Sequence, residues 1–385
     1  MAFIPYSCQN ISDDDIAAVT AVLRSEYLTQ GPSGPAFEKA FAERHKVRHA
    51  VAVSSATAAL HIGCLALAIG PGSLVWTSPN SFIASANCAL YCGADVDFVD
   101  IDPVTRNMSL SALTEKLAAA DKAGRLPDMV IPVDFAGFAV DLKEMRELAD
   151  CYGFKILEDA SHATGASYLG EPVGSAYAHA TVFSFHAVKV VTTAEGGMIT
   201  TNDDDLARKF RLLRSHGMTR EPDQMEGEPE GGWYYEQVAL GYNYRLTDLQ
   251  SALGLSQLDR LDQWQRRRAE IADRYDRLFA GMPLRLPARL QDRESAWHLY
   301  AIELGDDVAA SRADVFAGMR QAGIGVNVHY IPIHTQPQYR RLGFERGDFA
   351  NAERYYDRAI SIPLFPAMTD EQQQKVVDAV RGLIG

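Results

Sequence analysis

The chain has 385 residues, 47% of them hydrophobic and 23% charged, which at ~150 residues per domain leaves room for about two or three domains and a large core. Lys and Arg total 37 against 50 Asp and Glu, a formal net charge of −13, so no basic field exists to hold nucleic acid or an anionic membrane. Five scattered cysteines, Cys8, Cys64, Cys88, Cys92 and Cys151, include no C-x-x-C pair; they fit a reduced intracellular protein and neither a disulfide scaffold nor a zinc module.

The start, MAFIPYSCQNISDDD, has no basic n-region and no apolar h-region, so the expected location is the cytoplasm. No Asp, Glu, Lys or Arg occurs from 49 to 94, and the apolar part, 50–72, is long enough to suggest a membrane span. Ser54, Ser55, Thr57 and His61 interrupt it, and it divides better into a strand (AVAV), a polar turn (SSAT) and an Ala/Leu-rich helix. Further strands are predicted at 74–76, 96–99, 129–133, 154–157, 181–185 and 198–201. A helix is expected over 141–152, capped by Asp141, with Leu142, Met145, Leu148, Ala149 and Tyr152 at helical spacing and Gly153 as its stop. Such alternation predicts an α/β fold, a mostly parallel sheet with helices on both faces.

A polar stretch at 219–232, TREPDQMEGEPEGG, reads as an exposed loop. Thr247 and Gln250 have capping-box spacing and open a long helical pattern to about Gly281, which Pro283 stops. Strands at 297–304 and 325–330 then alternate with helices starting near Ser311 and Thr369, the latter capped with Gln372. The expected division is a large domain over 1–246, and a connecting helix with a small α+β domain over 247–385.

Lys189 stands between Val188 and Val190 in FSFHAVKVVTTAEGGMI, just past a strand. Alone it reads more readily as a lysine snorkelling from a sheet edge than as a desolvated, nucleophilic amine. Ser55-Ala56-Thr57 follows a strand and opens a helix, which makes either an ordinary cap or an anion cradle, and Ser184 ends another strand close to Lys189 in sequence. Asp159, in EDASHATG, sits where open α/β sheets bind ligands, and Phe82 offers a ring to stack on or simply a core side chain. Together they supply an amine, a dianion site, a carboxylate and a stacking surface, the set that pyridoxal phosphate requires. The motifs of nicotinamide, P-loop and zinc-protease sites are absent from the sequence.

With these segments the sequence resembles the DegT/DnrJ/EryC1/StrS sugar-nucleotide aminotransferases, within the fold-type I pyridoxal phosphate enzymes. The likeness covers nearly the whole chain and rests on SSATAALH, EDASHA, SFHAVKVVTTAEGGM, RSHGM from Arg214, and GYNYRLTDLQSALGLSQL from Gly241. PYSCQ, YLTQG, SFHAVK and VNVHYIPIH look most like the members that aminate C4 of a UDP-linked 4-keto-6-deoxy-N-acetylhexosamine in pseudaminic acid biosynthesis.

The resemblance implies that Lys189 carries the covalent link to pyridoxal phosphate and Asp159 pairs with its ring nitrogen. It further implies that Ser55, Ala56, Thr57 and Ser184 lie at the phosphate, Phe82 covers the ring and His162 approaches its hydroxyl. Asn243 matches a residue that reaches the neighbouring subunit's site, which implies a homodimer with shared sites. Tyr6, Glu26, Tyr27, Leu28, Thr29, Ser55, Asn327, Val328, His329 and Tyr330 match substrate-contacting positions; Glu26 would repel a diphosphate if it pointed that way. Ala56 and Ala194 stand where the family often has Gly, and His162 where Gln is frequent. L-glutamate is the expected donor, and Arg214, His216 and Arg245 are candidate cations for the diphosphate. Alternatives are a C3 aminotransferase, a dTDP- or GDP-sugar enzyme, a family member that remodels a sugar in another way, or a noncatalytic sugar-nucleotide-binding protein.

Overall fold

The structure, a computed structural model, describes residues 3–385. Its large sheet takes strands β1 (His49–Val53), β2 (Leu74–Thr77), β3 (Asp95–Phe98), β4 (Met129–Ile131) and β5 (Lys155–Asp159). After a small hairpin, β6 (Ser167–Tyr168) and β7 (Glu171–Pro172), it adds β8 (Ala180–Ser184) and β9 (Gly197–Thr201). The order is β1-β9-β8-β5-β4-β2-β3, and β9 is antiparallel to both neighbours while the pairs from β8 to β3 are parallel. Six carboxyl ends therefore share one edge, the edge where ligands bind in open α/β sheets.

Helices α1 (Asp13–Leu23) and α2 (Ser33–Arg44) precede the sheet; α3 (Ala56–Ala66), α4 (Ala84–Tyr91), α5 (Leu110–Ala123), α6 (Leu142–Tyr152) and α7 (Asp204–Arg214) are interleaved with it. Residues of α2, α5 and α6 build the core on one face, and residues of α3, α4 and α7 the core on the other. Strands covered on both faces read as apolar runs, the pattern seen in the sequence. Phe37 and Phe41 of α2 meet Phe183 and Phe185 at centroid distances of 5.0–5.5 Å, all four fully buried. Truncating one such ring costs about 3–5 kcal/mol, so the strand end bearing Ser184 is firmly seated.

Beyond a hairpin of β10 (Met218–Thr219) and β11 (Glu236–Gln237), the chain continues through α8 (Asp248–Leu258) and α9 (Leu261–Leu278). The small sheet is antiparallel in the order β12 (Leu284–Arg285), β14 (Tyr300–Leu304), β15 (Ala359–Ile362); β13 (Arg293–Glu294) pairs with β6 instead. It packs with α9, α10 (Arg312–Gln321) and α13 (Asp370–Ile384), while the short α11 (Pro337–Arg340) and α12 (Ala350–Arg358) lie between. Ile4 belongs to this core, with its N–H on Gly323 O at 2.9 Å and its carbonyl accepting from Gly325 N at 2.6 Å. Among the described residues no helix is long and apolar enough to cross a membrane.

Three local expectations change, and one strand was not foreseen. Asp141 occupies the N-cap position of α6 but its side chain does not cap; its carboxylate accepts from Arg293 Nη2 at 2.6 Å. The predicted long helix is two, broken at Asp259–Arg260, where Arg260 and Gln257 turn to the buried carboxylate of Asp15 on α1. No Gly or Pro marks that break. Residues 325–330 form no strand, only a bridge at Asn327–Ser361, because Asn327 Oδ1 accepts from its own neighbour, Val328 N, at 2.8 Å. The strand that pairs there is β15, whose start directly after α12 carries no turn signal.

Candidate active site

A cavity of about 530 Å³ opens at the carboxyl ends of β1, β5 and β8. At its floor, β1 ends and Ser55 caps α3, its hydroxyl accepting from Ala58 N at 3.1 Å. The Ala56 and Thr57 N–H groups lie in the first turn of α3, where helix geometry provides no internal acceptor, and the helix dipole adds positive potential. Gly197 of β9 approaches this turn so closely that a Cβ would lie 2.6 Å from Ala56 N. Such a turn suits an anion. Ser184, at the end of β8, lines the same cavity.

Asp159 ends β5 and is buried. Its Oδ2 accepts from Ser85 Oγ at 2.6 Å and its Oδ1 from Ser161 N at 3.1 Å. Successive residues of a strand face opposite ways, and Glu158 is held by Thr181 Oγ1 at 2.7 Å. Burial pushes Glu158 up to about 7, and burial together with the Glu158 charge raises Asp134.

Lys189 lies in the turn-rich connection from β8 to β9, knit by Thr193 N to Phe185 O at 2.9 Å and Phe185 N to Gly196 O at 2.9 Å. Burial lowers its amine to about 8, and the carboxylate of Asp159 opposes that shift. The amine and the carboxylate thus feel each other inside one cavity. Ala194 in this connection has φ +67°, a left-handed geometry that explains why Gly suits the position; alanine bears a strain of about 1–2 kcal/mol.

Imidazoles form the opposite wall. Ala136 N donates to His162 Nδ1 at 3.2 Å, so the neutral ring carries its proton on Nε2, which faces Tyr330 Oη at 3.0 Å. Burial, then the Lys189 charge, keeps His162 neutral. His329 Nδ1 lies 2.8 Å from Ser361 Oγ, and burial holds its pKa down at about 3.

Residues 9–381 match the DegT/DnrJ/EryC1/StrS aminotransferase family. The chain belongs to this family. It is similar to the spore coat polysaccharide biosynthesis protein SpsC of Bacillus subtilis, 41% identical over 99% of this chain and 97% of that one. Among solved structures it is similar to Helicobacter pylori PseC, an aminotransferase involved in the biosynthesis of pseudoaminic acid, with TM-score 0.92 and 33% identity over 99% of each chain. The pyridoxal phosphate form of the putative sugar aminotransferase Spr1654 from Streptococcus pneumoniae matches at TM-score 0.89 and 30% identity, over 99% of this chain and 98% of that one. The protein is a sugar aminotransferase that depends on pyridoxal phosphate. The residues present fit that cofactor: a desolvated amine, a buried carboxylate and an anion-accepting turn into which a Cβ at position 197 would intrude.

Thirteen residues named from the sequence line the aminotransferase cavity: Tyr6, Ser55, Ala56, Thr57, Phe82, Asp159, His162, Ser184, Lys189, Asn327, Val328, His329 and Tyr330. Glu26, Tyr27, Leu28 and Thr29 do not; they are exposed between α1 and α2, where Leu28 O accepts from Asp248 N at 3.0 Å. Asn243 is also exposed and outside its own chain's cavity, although its backbone bridges Ser215. Arg214 is not free for a diphosphate, since it is ion-paired with Glu38 and donates to Ala52 O at 2.7 Å. Sequence reasoning missed Ser85, Ser161, His186, Glu195 and the buried His298, whose ring lies 4.5 Å from that of His162. Ser85 lies in SPNSFIASAN, three residues past Phe82, which is the only local signal that could have drawn attention to it.

Proposed function

We infer that the enzyme moves an amino group from L-glutamate to C4 of a UDP-linked 4-keto-6-deoxy-N-acetylhexosamine, as a cytoplasmic homodimer with shared sites. The convergence of Lys189 and Asp159 in one cavity carries the transamination; the likeness to PseC supports the sugar. When bound, pyridoxal phosphate supplies an aldehyde that condenses with amines and a ring that withdraws electrons. In this reading Lys189 would hold the aldehyde, and its free amine would take the proton from the donor Cα. An amine with pKa about 8 is well poised for that exchange near neutral pH. The Asp159 carboxylate would pair with the ring nitrogen and favour its protonated form. Ser55, Ala56, Thr57 and Ser184, which line the cavity with Phe82 and His162, would hold the phosphate, with Phe82 available to cover a ring face and His162 to meet the ring hydroxyl.

Tyr6 and Asn327 to Tyr330, which line the cavity, are the proposed sugar-nucleotide contacts; Glu26 to Thr29, outside their own chain's cavity, are proposed contacts only in the assembled dimer, where Asn243 would complete the site of the other subunit. A different nucleotide keto-sugar is the second reading, favoured by the 41% identity to a spore coat polysaccharide protein. A panel of UDP- and dTDP-4-keto sugars, incubated with glutamate and followed by mass, separates the two. Conversion of the UDP-linked N-acetyl sugar alone supports the first reading, and conversion only of other acceptors overturns it.

A further inference from the structure

Ser85 is fully buried at the second position of α4, and its single hydroxyl hydrogen has two acceptors in reach. Asp159 Oδ2 lies at 2.6 Å and Phe82 O at 3.3 Å. The shorter contact is a charge-assisted O–H···O⁻ bond, the strong kind, and it takes the hydrogen. Ser81 Oγ lies 2.7 Å from Ser85 Oγ, and with the Ser85 hydrogen committed, Ser81 donates. The chain Ser81→Ser85→Asp159 therefore has one direction, and it starts at a residue that lines the cavity. Ser161 N–H holds the other oxygen at 3.1 Å. Both carboxylate oxygens are thereby fixed by the protein, and the carboxylate cannot rotate about its Cβ–Cγ bond without breaking two hydrogen bonds.

We propose that Ser85 is a positioning residue for transamination: its hydroxyl, backed by Ser81, fixes the plane of the Asp159 carboxylate so that it meets the cofactor ring nitrogen. This rests on the reading of Asp159 given above. A carboxylate free to swing, or one that turns towards the hole left by the hydroxyl, spends less time aligned and holds the ring proton less well. Loss of one charged hydrogen bond of this kind corresponds to roughly ten- to a hundredfold in rate.

The test uses holoenzyme reconstituted with pyridoxal phosphate carrying ¹⁵N in the ring. Ser85→Ala is expected to lower kcat roughly ten- to a hundredfold with the KM for glutamate unchanged, and to shift the ring ¹⁵N resonance towards the unprotonated position. Ser85→Cys removes the strong donor at nearly constant volume and serves if the alanine variant folds poorly; Ser85→Thr, which keeps the hydroxyl, is expected to restore both readouts. A merely structural role would change thermal stability and leave the ¹⁵N shift in place. Wild-type kcat and ¹⁵N shift in folded Ser85→Ala or Ser85→Cys overturn the proposal, provided Asp159→Asn has lost both. If Asp159→Asn also behaves as wild type, the assignment of Asp159 itself has failed.

Discussion

Nε2 of His162 lies 3.0 Å from the hydroxyl of Tyr330, which ties the end of the large sheet to the segment that descends from the small one. Because Ala136 N fixes the His162 tautomer, the imidazole donates this bond and the phenolic hydrogen of Tyr330 is left to the cavity. Burial keeps that phenol protonated. Tyr330→Phe should leave cofactor binding intact and reduce kcat/KM for the keto-sugar by about tenfold, the worth of one hydrogen bond. Steady-state kinetics with each substrate in turn would show it; unchanged kcat/KM for the sugar would remove Tyr330 from the site.

The depressed pKa of Lys189 gives a pH dependence with a definite sign. Only the neutral amine attacks an aldehyde, and with a pKa of about 8 its neutral fraction rises as pH climbs through 8 rather than through 10.5. Covalent capture of pyridoxal phosphate by apoenzyme, followed by visible absorbance, should accelerate through that range and then level off. In Asp159→Asn the supporting negative charge is gone, so the midpoint should fall below that of the parent. A midpoint near 10 in the parent would mean that the amine is not desolvated.

Asn243 lies outside its own cavity, which makes the shared-site reading testable by mixing. Lys189→Ala should be inactive and Asn243→Ala should retain cofactor poorly. Refolding the two variants together creates heterodimers in which one site has both native residues, and activity should reappear there. Gel filtration with turnover assays reads this out, and mixed dimers without activity would count against a site built from two chains.

Acid should weaken the fold in a specific window. His45 is fully buried, stacked on Phe41 at 4.2 Å, and its Nδ1 lies 2.8 Å from Val173 O. Burial lowers its pKa to about 4 from 6.5. Between those values the unfolded chain binds a proton that the folded chain refuses, so stability present above pH 6.5 is lost as pH falls towards 4, by roughly 3 kcal/mol for this residue. Urea melts at pH 7.5 and 5 should show the loss, and His45→Leu should shrink the difference between them. Equal stability at both pH values would contradict the burial.

Much of this was legible because hydrophobic period, caps and glycine stops are local. All seven strands of the main sheet were placed to within a few residues, and the capping boxes at Thr247 and Thr369 open α8 and α13 as expected. Thirteen cavity residues were named because their motifs carry them. What escaped depends on partners distant in sequence. The break after Leu258 is made by Asp15, more than two hundred residues earlier, and Asp141 abandons its cap for Arg293. Ser85 looks like any small helix residue until β5 places a carboxylate beside it. The exposed stretch 26–29 and Asn243 gain no meaning from one chain's packing, since nothing in that chain's own cavity meets them.

The glycine at 197 has a consequence for redesign. With no room for even one methyl against the Ser55–Ala56 turn, position 197 is closed to larger side chains, and a substitution there would displace the turn proposed above to hold the phosphate. The adjustable rim is the side bearing Tyr6, Asn327 and Val328, drawn from chain segments outside the large sheet. If the proposed roles of these residues hold, selectivity and anchorage fall on separate parts of the polypeptide, and libraries that vary the former can leave the latter untouched.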